Sequence, residues 1–177
     1  MARASRTKAD YHFSTSAEAD LSLHDVDVSA CLAELAEMFR PMLSHSTRFD
    51  VRSDVGSIGI TCSKETLQNA IMLLLRNAGD ALPMGGVIVL SASCRGSANN
   101  AHIEISVSDT GIGMPQETLR RAKEPYFTTK SGGLGGFGLP LVEEFARAAG
   151  GRVQLESEPN VGTDARIYLP AHARSKQ

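Results

Sequence analysis

Three short stretches of this chain place side chains where they could do chemistry. Asn77 follows Leu74 by three positions in a helical pattern, so it sits at the margin of a buried face. An amide there can offer its carbonyl oxygen to a hard cation such as Mg²⁺, although on position alone a plain helix-surface Asn is the stronger reading. Asp109 ends an alternating run and precedes Thr110-Gly111-Ile112-Gly113. A carboxylate beside two glycines can accept from an exocyclic amine while the bare backbone lets a planar base approach, and it can equally start an ordinary turn. Gly132, Gly133, Gly135, Gly136 and Gly138 crowd into seven positions before a helical segment. Their amides, with the positive end of the helix, could face phosphates, and Lys130 just upstream adds a cation; the alternatives are a flexible linker and an exposed lysine. The run fits neither the GxxxxGK[ST] pattern nor GxGxxG after a strand.

The elements that must position these residues are legible from periodicity. His24–Val28 alternates as a short strand. A helix capped by Ser29 buries Leu32, Leu35, Ala36 and Phe39 and stops or bends at Pro41. Arg48–Arg52 and Ser57–Cys62 read as a strand pair around an Asp54–Gly56 turn. Ser63 caps the next helix, whose stripe is Leu67, Ala70, Ile71, Leu74, Leu75, Ala78 and Leu82, ended by Pro83 and Gly85-Gly86. Gly86–Cys94 and His102–Ser108 are strands, Gln116–Lys123 is a short amphipathic piece, and Leu139–Ala149 is a helix with Leu141, Val142, Phe145, Ala146 and Ala149 inward. Arg152–Glu156 and Thr163–Leu169 make a last pair around Pro159–Gly162. The fold class is α/β (α+β): a two-layer sandwich with a mixed sheet of about five strands and three helices on one face.

Composition narrows the function. At 177 residues, 42% apolar and 21% charged, the chain is globular. A net charge of -2 provides no general pull on nucleic acid or anionic lipid, so neither partner is expected. Cys31, Cys62 and Cys94 lack zinc spacing and read as reduced thiols in a cytoplasmic compartment. No apolar run approaches the ~18 residues of a membrane span. Residues 1–22 read as a linker or tail, 23–171 as the domain and 172–177 as a second tail.

Taken in order, the pieces resemble the ATP-binding boxes of sensor histidine kinases. They are Leu74-Leu75-Arg76-Asn77-Ala78-Gly79-Asp80-Ala81, Asp109-Thr110-Gly111-Ile112-Gly113-Met114, Glu124-Pro125-Tyr126-Phe127-Thr128-Thr129-Lys130, Gly135-Gly136-Phe137-Gly138-Leu139 and Gly162-Thr163. The resemblance spans roughly His24 to Pro170 and implies the Bergerat (GHKL) sandwich. It implies Mg²⁺ on Asn77, the adenine amine on Asp109, Gly111 and Gly113 along the base, and Thr163 closing the adenine side. It also implies that Phe127 to Lys130 belong to a mobile lid, with Thr128, Thr129 and Lys130 near the nucleotide and Lys130 or Arg76 on phosphate; the glycines that follow make Thr128 to Gly136 the interior segment expected to move most without nucleotide. Gly135, Gly136, Gly138 and Leu139 would meet the phosphates at the helix start, and Asp80 would steady the pocket through water.

The departures are informative. Leu73 stands one turn before Asn77, where the ATPase branch carries a water-activating Glu, so hydrolysis of that kind is disfavoured. Phe137 replaces the usual Leu, Leu134 a frequent Gly, and Pro140 is tolerated in a first turn. His12, His24, His45, His102 and His172 all lack a phosphoacceptor context. The resemblance therefore implies the catalytic lobe of a histidine kinase, passing the γ-phosphoryl of Mg-ATP to a dimerisation-domain histidine in cis or trans. A response regulator follows indirectly, and the parent protein is compatible with a membrane anchor. The alternative is a degenerate nucleotide-binding module that regulates a partner by contact; a serine kinase of the anti-sigma type usually lacks FTTK.

Overall fold

The computed structural model of the chain describes residues 23–96, 100–124, 127 and 138–173. Five strands form the main sheet, in the order β2 (Thr47–Asp54), β4 (Gly86–Arg95), β5 (His102–Asp109), β7 (Gly162–Pro170) and β6 (Arg152–Glu158). The first pair is parallel and the others are antiparallel, so the sheet is mixed as expected. One face carries α1 (Val28–Phe39), α2 (Lys64–Asp80) and α4 (Gly138–Ala148). The short α3 (Gln116–Arg121) lies against β6, and just beyond it Lys123 donates to the Val153 carbonyl at 2.8 Å.

Period-two alternation builds the core. Rows of side chains on the helix-facing side run Leu90, Val107, Ala165, Leu155 and then Ala92, Ile105, Ile167, Val153 across four strands. Leu67, Ala70, Ile71, Leu74, Leu75 and Ala78 of α2 press onto this surface and are buried, as their helical spacing predicts. Phe39 of α1 meets Phe49 of β2 edge to face at 5.4 Å.

Four expectations are corrected. Asp27, not Ser29, caps α1: its carboxylate accepts the Ala30 N–H at 3.0 Å. Val28 is fully buried, so the helix begins early enough to carry it, while the Ser29 hydroxyl pairs with that of Ser53. The strands at 48–52 and 57–62 do not pair. Gly56 does form a left-handed turn at φ 57°, but Val55 is drawn into the core and the chain leaves the sheet. β3 (Ile58–Cys62) joins β1 (His24–Val26) and β8 (His172–Ala173) in a separate small sheet. That pairing also carries ordered structure two residues past 171. Leu141 is 50% exposed, because the stripe of α4 that meets the core runs through Leu139, Val142, Ala146 and Ala149 and leaves Leu141 to one side. Among the described residues no helix is long and apolar enough to cross a membrane.

Candidate functional site

At one end of the main sheet the apolar rows give way to a polar one. Register aligns Ile88, Asp109, Thr163 and Ser157 side by side across β4, β5, β7 and β6, on the face that bears the helices. Ile88 is fully buried and closes the core beneath. Asp109 and Thr163, far apart in the chain, become cross-strand neighbours. An open cleft of about 350 Å³ lies along this end of the sheet, and its lining mixes Asp109, Ser157 and Thr163 with Ser108, Glu156 and Asp164 of the opposite face.

The carboxylate of Asp109 is held in place by the backbone. Its Oδ1 accepts the Gly111 N–H at 2.8 Å, and the Thr163 backbone faces it across the strand pair. Burial raises the pKa of this group above the ordinary Asp value, and the Gly111 and Thr163 backbone amides work against the rise.

The loop after Asp109 is fastened on both sides. Ile112 donates to the Ala81 carbonyl at 2.9 Å and accepts from the Asn160 N–H at 2.8 Å. The Met114 N–H reaches Ser157 Oγ at 2.8 Å. Close approach explains the glycines here. A Cβ on Gly111 would collide with the Ala81 carbonyl, and one on Gly113, which has φ 60°, would collide with that of Glu158.

Ala81 is four residues beyond Asn77, about 6 Å of helical rise, so the anchored loop lies one turn from the Asn77 amide. Asn77 is half-buried and faces the start of α4, where a Cβ on Gly138 would lie 3.7 Å from Asn77 Nδ2 and 3.9 Å from Leu73 Cδ2. The start of α4 and the middle of α2 are thus in contact at two of the expected positions. Leu139 packs partly buried on the core, and Asp80 and Arg76 are exposed on α2. Phe127 is half-buried with the Arg121 guanidinium 4.4 Å from its ring centre. Thr128, Thr129, Lys130, Gly135 and Gly136, and with them the expected lid beyond Phe127, lie outside the described residues.

Sequence reasoning passed over Ser157 and Ile88. A signal for the first was present: Val153, Leu155 and Ser157 share one face of β6, so a hydroxyl stands where the period asks for an apolar group.

The comparisons agree with this architecture. Residues 62–173 match the family model described as Histidine kinase-, DNA gyrase B-, and HSP90-like ATPase. Sporulation kinase C of Bacillus subtilis (strain 168) is 33% identical over 116 residues, 66% of this chain and 26% of that protein. Sensor histidine kinase ZraS of Escherichia coli (strain K12) is 33% identical over 117 residues, 66% of this chain and 24% of that protein. Full-length ShkA in complex with AMPPNP superposes with TM-score 0.73 and 25% identity, over 89% of this chain and 33% of that one. The catalytic domain of histidine kinase ThkA shares the fold, with TM-score 0.74 and 20% identity over 85% of this chain and 96% of that one. The chain spans about a quarter of the length of these two curated relatives. With the family model covering well over half of its residues, the chain belongs to the histidine kinase-, DNA gyrase B- and HSP90-like ATPases and carries their ATP-binding domain.

Proposed function

We propose that this chain is the catalytic lobe of a sensor histidine kinase, with its ATP-binding domain running from residue 23 through 173. It transfers the γ-phosphoryl of Mg-ATP to a histidine on a dimerisation domain supplied in cis or trans, from which a response regulator is served. The observation that supports this best is the convergence of two half-sites. Asp109 and Thr163 lie side by side at the sheet's end, and the loop between Asp109 and Met114 is tied to α2 one turn from Asn77, over which Gly138 opens α4.

In this reading Asp109 accepts from the adenine amine, Gly111 and Gly113 let the base approach, and Thr163 closes its edge. Gly138 and Leu139 bring the positive end of α4, a helix of 11 residues, toward the phosphates. Lys130, Thr128, Thr129, Gly135 and Gly136 are assigned to the phosphate side and the lid on the resemblance alone, and Asp80 to support of the pocket. Asn77 fits a Mg²⁺ that keeps most of its shell from water and phosphate: its amide oxygen is a hard donor, and among the described residues no group of three or more His, Cys, Asp or Glu forms a protein cage. Bound there, the ion would neutralise charge on the transferring phosphoryl group. The protein's part is to position and to exclude water, because the Leu73 side chain beside Gly138 has no lone pair with which to activate a hydrolytic water.

The test mixes the chain with separately made dimerisation domains and γ-labelled ATP. Acid-labile phosphohistidine should form in the presence of Mg²⁺ and disappear with Asn77→Ala. ATP binding without transfer to any acceptor would favour the regulatory module instead, and steady hydrolysis by the isolated chain would overturn the role given to Leu73.

A further inference from the structure

Ser157 carries a hydrogen-bond arrangement that the roles above leave unexplained. Its Oγ accepts the Met114 N–H at 2.8 Å, donates to the Gly162 carbonyl at 2.9 Å, and stands 2.9 Å from Thr163 Oγ1. A serine hydroxyl has one hydrogen and two lone pairs. The hydrogen is committed to Gly162 and one lone pair to Met114. The contact with Thr163 then closes only with Thr163 as the donor.

That assignment settles what Thr163 can offer. Its single hydroxyl hydrogen is turned toward Ser157, so only lone pairs remain for a ligand. Beside it, the Asp109 carboxylate in its ionised form, the form that the Gly111 N–H at 2.8 Å favours, is also an acceptor and nothing else. The side-chain row Asp109–Thr163 thus presents acceptors alone.

We infer that Ser157 is a positioning residue that fixes the proton of Thr163 and thereby makes the site select a purine with a 6-amino group over one with a 6-oxo group. The inference rests on the reading that Asp109 and Thr163 face the base. A 6-amino group brings N–H donors to the row. A 6-oxo group brings a carbonyl oxygen, which meets the Asp109 carboxylate lone pair against lone pair. Thr163 is the one side chain of the row with a proton that rotation could turn to that oxygen, and Ser157 holds it. Where a site is built for one hydrogen-bond polarity, the ligand of opposite polarity leaves buried groups unpaired.

The experiment titrates the full chain with ATP and with inosine triphosphate, which carries the 6-oxo group, and reads the ratio of the two dissociation constants. The wild type should prefer ATP. Ser157→Ala frees the Thr163 hydroxyl to donate, so the preference should shrink by about fivefold, the worth of one ordinary hydrogen bond. Ser157→Thr keeps the hydroxyl and should restore the wild-type ratio. Adding Thr163→Val to Ser157→Ala should abolish the relaxation. Should Ser157→Ala fail to melt cooperatively, Ser157→Cys is read in its place and must shift the ratio in the same direction. Equal weakening of both nucleotides, with the ratio unchanged, would mean that Ser157 only braces the loop and would overturn the inference while leaving the site intact. A wild type that binds ATP without preference would do the same. A wild type that binds neither nucleotide would overturn the reading of the site, and the inference with it.

Discussion

Replacing Gly111 by alanine places a methyl group where the fold has no room for one. An ideal Cβ there lies 2.8 Å from both the carbonyl carbon and the Cβ of Ala81, and closer still to the carbonyl oxygen. That oxygen accepts the Ile112 N–H at 2.9 Å, so the methyl group cannot be accommodated without opening the bond that seats the loop on α2. The loop has little freedom to slide away, because Asn160 and Ser157 hold its far side. Overpacking of this kind costs about 1–3 kcal/mol and the lost hydrogen bond about 1, giving about 2–4 kcal/mol in all. For a chain of this size that lowers Tm by about 4–16 °C. Displacing Asp109, which is tied to the same glycine, should also weaken ATP binding at least about tenfold. Calorimetric melting and titration with a fluorescent ATP analogue measure both effects. Gly56→Ala is the control: its Cβ meets open space, so only the left-handed φ of 57° is strained, at about 1–2 kcal/mol, with no effect on nucleotide. A Gly111→Ala protein that melts within about 2 °C of wild type and binds ATP normally would refute the seating of the loop on α2.

The remaining predictions concern other parts of the molecule. Gly79→Ala, in the last turns of α2, should stabilise the fold by about 0.5–1 kcal/mol, since its Cβ would make an ordinary 3.7 Å contact with Phe39 and helix propensity improves; urea denaturation would show it as a raised midpoint. Burial pushes the Cys31 thiol up to about 12 and the Cys62 thiol to about 11, so iodoacetamide at pH 8 should modify Cys94 alone in the native chain, and mass spectrometry should find the other two modified only after denaturation. The folded-state pKa of Asp109 is raised by burial, so its contribution to stability is present below the unfolded pKa and lost as pH rises through the folded one. Asp109→Asn should therefore melt no lower than wild type at pH 7 and lose any advantage in acid, while ATP affinity falls about 10- to 150-fold with the loss of a charged acceptor. A lower melting temperature at pH 7 would contradict that sign.

Much of this protein is written in local pattern. The stripe from Leu67 to Ala78 fixes both the existence of α2 and the face it buries, because 3.6-residue spacing and burial are one requirement. Alternation does the same for β4 and β5, and the order of the boxes around Asn77, Asp109 and Gly138 carries the family. Which strand pairs with which is another matter. Alternation tells a strand which side to bury and nothing about its neighbour, so β2 and β3, adjacent in sequence and joined by a real turn, part company for different sheets. Register over 54 positions of chain sets Thr163 beside Asp109, and one further strand across sets Ser157 beside Thr163. A serine hydroxyl has no preferred partner until the backbone brings donors and acceptors to it. The polarity of the row is therefore a property of the closed sheet, where each proton has a single place to go.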